Sequence, residues 1–204
     1  LAGIGLGSFW AWAVRPDPTT GDYFPYPAHE YYPLMVEGWL QSRLDLPHPV
    51  AQGLLDLSDP YDPEASRPYR FGTEGVHDLS LYGDRLYSYW GPTPALVAFL
   101  PWRLLTGNGL DTAWSVWSFV MAGWLFASLL LLQVIRRYFP RTGRSVRFLA
   151  LLVLGLGNFA AVVLQRPSVY EASIAAAYAF AMLAFWQLAG ALWRPAAVRA
   201  VPLA

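Results

Sequence analysis

The order in which this chain alternates between polar and apolar segments constrains its fold most. A short apolar segment, residues 1–14, precedes a polar stretch, residues 15–91, and three long apolar runs follow it, with arginine clusters between and after them. Soluble domains carry about 25% charged residues, whereas this chain of 204 residues is 14% charged and 55% hydrophobic. The order predicts an all-α polytopic membrane protein with one large extracytoplasmic loop, the loop itself holding amphipathic helices and a small β-hairpin.

The firmest span is 112–135, an apolar run of 24 residues, about 36 Å long as a helix and enough to cross a hydrocarbon core of about 30 Å. Residues 148–164, interrupted by Asn158, and residues 172–193 read as two further transmembrane helices. Trp114, Trp117, Trp186 and Trp193 lie toward span ends, where amphipathic rings favour the headgroup layer. Residues 1–14 are too short for a span of about 20 residues and begin at Leu1, so they are read as a truncated first transmembrane helix of a longer protein. A signal peptide is the competing reading of that start, without a basic segment to support it.

Orientation follows from arginine. Arg136, Arg137, Arg141, Arg144 and Arg147 fall within twelve residues without an acidic neighbour, and Arg194 and Arg199 follow two crossings later. Both basic segments belong on the cytoplasmic side of the membrane, which sends the 15–91 loop to the periplasmic or extracellular side. Residues 92–106 are apolar but broken by Pro101 and Arg103. A crossing there would turn the arginine cluster outward, so the segment is expected to be an interfacial or re-entrant helix on the outer face.

Inside the loop, Tyr31 to Leu44 has helical periodicity, with Leu34, Met35, Gly38 and Trp39 on the expected apolar face. Asp59-Pro-Tyr-Asp-Pro63 is rich in turn-forming residues, a structural turn or a cation site built on Asp59 and Asp62. Leu79–Tyr82 and Arg85–Trp90 flank Gly83-Asp84 as a hairpin would.

The function classes narrow by elimination. Formal charge is zero and no basic stripe is present, so no nucleic-acid partner is expected. Cysteine is absent, which removes disulfides, thiolate nucleophiles and zinc–thiolate sites. No glycine-rich phosphate loop and no G-x-S-x-G elbow occurs. His29, His48 and His77 are too far apart for a local zinc motif, and dependence on a divalent metal stays open. Candidate chemistry therefore rests on carboxylates: Asp22 and Glu30 after the first apolar segment, and Glu171 beside Arg166 at the mouth of the last span.

The succession His29-Glu30-Tyr-Tyr, Asp-Pro-Tyr-Asp-Pro, His77-Asp78-Leu-Ser-Leu-Tyr, Trp90-Gly-Pro-Thr-Pro-Ala-Leu, Arg136-Arg137-Tyr-Phe and Arg166-Pro-Ser-Val-Tyr-Glu171 resembles the start of a GT-C type membrane glycosyltransferase. The likeness is to the protein-mannosyltransferase-like and aminoarabinose-transferase-like members and their bacterial relatives. It implies an enzyme that takes a sugar from a polyprenyl-phosphate donor and passes it to an acceptor at the outer face of the membrane. A carboxylate of the first outer loop would be the general base, which places Glu30 as the catalytic residue and Asp22 as its reserve. Family members often carry Asp-Glu where this chain has His29-Glu30. Substrate-binding roles are expected for Glu171, Arg166, His29, Tyr31, His77 and Asp78, with membrane lipid as the surrounding partner. Arg67 and Arg70 are further candidates to balance the departing phosphate. The rival class is a non-enzymatic transporter or assembly subunit, which would favour polar residues at mid-membrane, where only Asn158 comes close.

Overall fold

The computed structural model describes residues 5, 7–9, 31–71, 77–165 and 167–193. The chain divides into two compact units: residues 30–110, the polar unit, and residues 1–29 with 111–204, the apolar unit. Most of the 1–14 segment lies outside the described residues. Residues 7–9 are helical, and the Gly7 carbonyl accepts from the Trp117 indole at 3.4 Å.

The polar unit opens with α1, Tyr31–Leu40, followed by α2, Gln52–Leu55, and α3, Pro63–Arg70. A hairpin comes next, β1 Leu79–Tyr82 and β2 Arg85–Ser88. The unit closes with α4, which runs from Ala95 to Thr106. The hairpin expected around Gly83-Asp84 is present, with Leu79 opposite Ser88 and Tyr82 opposite Arg85. Its two turn residues have φ of 53° and 59°, the mirror-image turn that matches strand twist. Leu46 adds one bridge to Leu86, its amide 2.8 Å from that carbonyl.

Helix α1 stops four residues before the expected Leu44, because Ser42 turns left-handed at φ 58° and the Arg43 amide folds back onto the Gly38 carbonyl. Its packed face is also rotated from the expected one. Tyr31, Tyr32, Met35, Val36 and Gly38 are buried while Leu34 and Trp39 are half-exposed, because the helix packs through its tyrosines: Tyr32 meets Phe99 at 5.5 Å and the Tyr31 hydroxyl reaches the His77 carbonyl. Behind α1, the Asp45 carboxylate is only 4% exposed and binds both Arg43 and Arg85, the latter at 3.4 Å. One buried carboxylate thus ties the chain after α1 to the start of β2. The Arg43 hydrogen bond, with both guanidinium charges, holds the Asp45 carboxyl below the usual carboxylate range against the opposing pull of burial.

The first turn of α4, Ala95–Phe99, is wound as a π-helix. Pro101 has no N–H to give Val97, and its ring would strike that carbonyl in a regular helix. The wider turn, closed by the Leu100 amide on the Ala95 carbonyl, moves the obstruction aside.

The apolar unit contains α5, Thr112–Tyr138, α6, Arg144–Leu156, α7, Ala160–Gln165, and α8, Val169–Trp193. Among the described residues, α5 and α8 are the helices long and apolar enough to cross a membrane. Residues 148–164, expected as one span, are instead split between α6 and α7. Asn158 makes the break: its amide nitrogen donates to Leu154 O at 2.9 Å and its oxygen accepts from Ala160 N at 2.8 Å, closing one helix and opening the next.

Ring contacts fix the direction of the two long helices. Phe119 meets Phe180 at 6.5 Å, Phe126 meets Trp186 at 6.0 Å and Tyr138 meets Trp193 at 5.7 Å, an ascending series that only parallel helices produce. Helix α6 runs back along α5, where the Trp124 indole reaches Leu151 O at 3.5 Å. The end of α5, the start of α6 and the end of α8 therefore share one end of the bundle, the end that carries the arginines of residues 136–147.

The α5–α8 contact is built from small residues. Ala172, Ala175, Ala176 and Ala179 are buried along α8, and a Cβ on Gly123 of α5 would fall inside the Tyr178 ring. Gly123→Ala is expected to destabilise the bundle by about 1–3 kcal/mol through overpacking, whereas Gly190→Ala, whose nearest neighbour is Gln133 Nε2 at 3.8 Å, is neutral; thermal unfolding in detergent compares them. Asp45 predicts a pH signature. Its depressed carboxyl stabilises the fold above its unfolded pKa of about 3.9 and loses that contribution as pH falls through the lower folded value. The stability gap between wild type and Asp45→Asn should be full at neutral pH and shrink in acid below about pH 4, as denaturant titrations across that range would read.

Candidate functional site

Within the polar unit, three residues expected at the substrate site come together. The Tyr31 hydroxyl donates to the His77 carbonyl, so the first turn of α1 is held against the entry to β1. The His77 imidazole has Nδ1 3.4 Å from Asp78 Oδ1 and rests its ring against Phe71 at 4.5 Å. Tyr89 donates a hydrogen bond to Asp78 from the far side of the hairpin. The His77 and Asp78 side chains are 32% and 22% exposed, shielded yet within reach of a ligand.

Desolvation, and then the Asp78 charge, push the Tyr31 phenol above its ordinary pKa. Desolvation also raises the Tyr89 phenol, helped by its hydrogen bond to Asp78. Both phenols therefore stay protonated and act as donors. The cluster pairs a carboxylate and an imidazole with two phenols whose protons are given within the fold, leaving the carboxylate and phenol oxygens to accept from, and the imidazole to bond to, a ligand rich in hydroxyl groups.

Asp78 has φ of 59°, the left-handed region that aspartate tolerates at a cost. Arg70 helps hold that corner, with its guanidinium donating to Leu79 O at 3.0 Å and Pro60 O at 3.1 Å while stacking over Tyr61 at 5.0 Å. The sequence alone offered Arg70 as a partner for the departing phosphate, but its guanidinium is engaged in the fold; Arg67, the other candidate of this unit, is exposed.

The Asp59-Pro-Tyr-Asp-Pro63 segment resolves as a structural turn. Asp59 Oδ1 accepts from Tyr61 N at 2.8 Å, and Asp62 Oδ1 caps α3 by accepting from Glu64 N and Ala65 N at 2.9 and 2.8 Å. The Tyr61 hydroxyl both donates to and accepts from the Leu81 backbone, docking the turn on β1. Among the described residues no group of three or more histidines and carboxylates is placed to hold a metal ion. His48 bonds locally to Pro49 O at 2.8 Å.

In the apolar unit, Glu171 accepts from the Ser168 hydroxyl, and Ala172 N reaches Ser168 O at 2.9 Å. Ser-x-x-Glu is the spacing of a helix-opening box, and here it starts α8. Glu171 thus has a local structural partner. Asp22, His29, Glu30 and Arg166 lie outside the described residues.

Two members of the cluster, Phe71 and Tyr89, were not singled out from sequence. Tyr89 was within reach. The Leu79–Ser88 pairing means that the next position outward sets Asp78 across from Tyr89, so the two-residue turn had already fixed the partner. Phe71 follows the helix-ending Arg70 without any periodic signal.

Asp78→Gly removes the carboxylate while relieving the left-handed backbone, so its effect on stability should stay within about 1 kcal/mol. Asp78→Val, β-branched at the same φ, should cost about 1–3 kcal/mol. Melting curves of the two variants would make Asp78→Gly a stable probe that lacks only the carboxylate.

Comparison with family models, curated proteins and solved structures gave no match, so the reading of this cluster rests on its own chemistry.

Proposed function

We propose that the chain is part of a multi-pass glycosyltransferase of a bacterial inner membrane, moving a sugar from a polyprenyl-phosphate donor to an acceptor at the outer face. The observation that carries this reading is the convergence of Tyr31, His77, Asp78 and Tyr89 in a folded polar unit, beginning one residue after Glu30 in the sequence. Two apolar helices of membrane-spanning length, and a basic bundle end consistent with a cytoplasmic face, support the placement. A lipid-linked donor also fits a chain without a phosphate-binding loop, because the tail of such a donor stays in the bilayer.

In the proposed reaction Glu30 accepts the proton of the acceptor hydroxyl, the freed oxygen bonds to the anomeric carbon, and the bond from that carbon to the phosphate oxygen breaks, its electrons leaving with polyprenyl phosphate. Asp22 is the reserve base. Asp78 and the two phenol oxygens accept from sugar hydroxyls, His77 and His29 orient sugar hydroxyls or phosphate oxygens, and Arg166 near Glu171 balances charge on the leaving phosphate. The transporter reading is weakened at Asn158, whose side chain is spent on two helix ends.

The test is mass spectrometry of envelope glycans and glycolipids in a deletion strain complemented with the full-length wild type, Glu30→Gln, Asp22→Asn or Asp78→Gly. Loss of a general base should lower transfer by about 10² to 10⁴, so a well-expressed Glu30→Gln is expected not to restore the missing sugar, and Asp78→Gly to restore it only in part. Full restoration by Glu30→Gln moves the base to Asp22. A deletion that changes no glycan overturns transfer and leaves a transporter or assembly role.

A further inference from the structure

Helix α4 presents an apolar surface for which the polar unit supplies no cover. Ala95, Phe99 and Arg103 turn inward, where Phe99 meets Tyr32 and Arg103 pairs with Glu37 of α1 at 3.0 Å. The opposite side is exposed along its whole length: Leu96 and Val97 at 50% and 47% in the first turn, Leu104 and Leu105 at 67% and 85% in the last. Trp102 flanks this arc, and Arg103, the only charged residue of the helix, is held away from it. Surfaces of this kind on water-facing helices lead to association.

We propose that this face of α4 docks on the outer leaflet of the bilayer, with the helix lying flat in the headgroup layer and setting the height of the Tyr31–His77–Asp78 cluster above the lipid. Length rules out a crossing: twelve residues from Ala95 to Thr106 reach about 18 Å, against a core of about 30 Å. The distribution of the exposed residues sets the tilt, since an end-on helix would concentrate them at one terminus. Connectivity selects lipid over a protein partner. Residues 107–111 alone separate α4 from α5, one of the two helices long enough to span, and five residues extend to at most about 18 Å. An apolar face with a tryptophan at its edge, tethered that closely to a span, has the headgroup boundary as its nearest apolar phase.

Helix α1 runs beside α4 in the same direction, as the Tyr32–Phe99 and Glu37–Arg103 pairs require. Packed helices lie about 8–10 Å apart. With α4 in the headgroup layer, Tyr31 is held about one helix diameter above it, at the level where the polar head of a membrane-anchored molecule projects. The docking holds whatever group the cluster acts on, so it stands or falls apart from the transferase reading.

The absence of cysteine allows a direct test. Leu104→Cys, Leu105→Cys and, as a water-facing control, Tyr82→Cys, which is 78% exposed, are labelled with bimane in the full-length protein. The protein is reconstituted in phosphatidylethanolamine–phosphatidylglycerol nanodiscs. Docking predicts that labels at 104 and 105 are quenched more strongly by a shallow nitroxide lipid than by a deep one, and are protected from aqueous iodide, while the label at 82 is quenched by iodide alone. Iodide access at 104 and 105 equal to that at 82 overturns the proposal. So does strongest quenching by the deep nitroxide, which means a crossing segment, and so does protection from both lipid and iodide, which means a protein cover.

Discussion

The parallel pairing of α5 and α8 is the constraint on which the apolar unit depends. Two parallel helices cannot be joined by a turn; the chain must travel back along them first. Helix α5 has 27 residues, about 40 Å, and the return is made by α6 and α7 with Asn158 between them. That explains why a polar residue is tolerated there. Both ends of its amide are occupied by the helix ends that it joins, so the break leaves one carbonyl and one N–H fewer without a partner. The pairing itself depends on closeness, because dispersion contacts between two apolar helices are gained only where their atoms touch. Alanines on α8 and Gly123 on α5 permit that closeness, and the Tyr178 ring fills the space that Gly123 leaves.

The polar unit meets the opposite problem, holding a fold without a disulfide and with few long elements. It does so by spending charged and hydroxyl groups on one another and on its own backbone. Asp45 joins Arg43 and Arg85, Arg70 bonds two carbonyls, Asp62 caps α3, and the Tyr61 hydroxyl makes two bonds to one strand residue. This use of polar residues lowers the number left for ligand chemistry. After it, the side chains that stand out are those around Asp78, where two phenols and an imidazole surround one carboxylate at a left-handed corner.

What could be read from sequence divides along physical lines. The long apolar runs and the hairpin were legible because periodicity and turn chemistry are local, and Gly83-Asp84 fixed a register that extends to the Asp78–Tyr89 pair. The break at Asn158 was seen only as an interruption, since whether an asparagine caps or merely interrupts a helix depends on its side-chain rotamer. Helix α1 was recognised, but its buried face was misjudged: hydropathy ranks leucine and tryptophan above tyrosine, whereas packing selected the two tyrosines that meet Phe99 and the His77 carbonyl. Asp45 could not have been found as the clasp, because its partner Arg85 lies forty positions away and nothing in the spacing links them. The π-turn before Pro101 was half visible: proline announced a disruption, and the direction in which the chain relieved it was a tertiary matter.

The two faces of the α1–α4 pair belong to one mechanical element. On one side α4 offers leucines and a valine; on the other, α1 carries Tyr31 at its first turn, fixed to the His77 backbone. Between them the contact is a ring pair at one end and an ion pair at the other, so the helices cannot slide by a turn without losing both. A displacement of α4 is therefore passed to Tyr31 as a rigid shift, and from there to the strand entry that holds His77 and Asp78. Loops set distances loosely, since each residue adds rotational freedom. Two packed helices set them to within side-chain dimensions, and under the proposed docking the distance from the cluster to the lipid surface is the coordinate that this pair fixes.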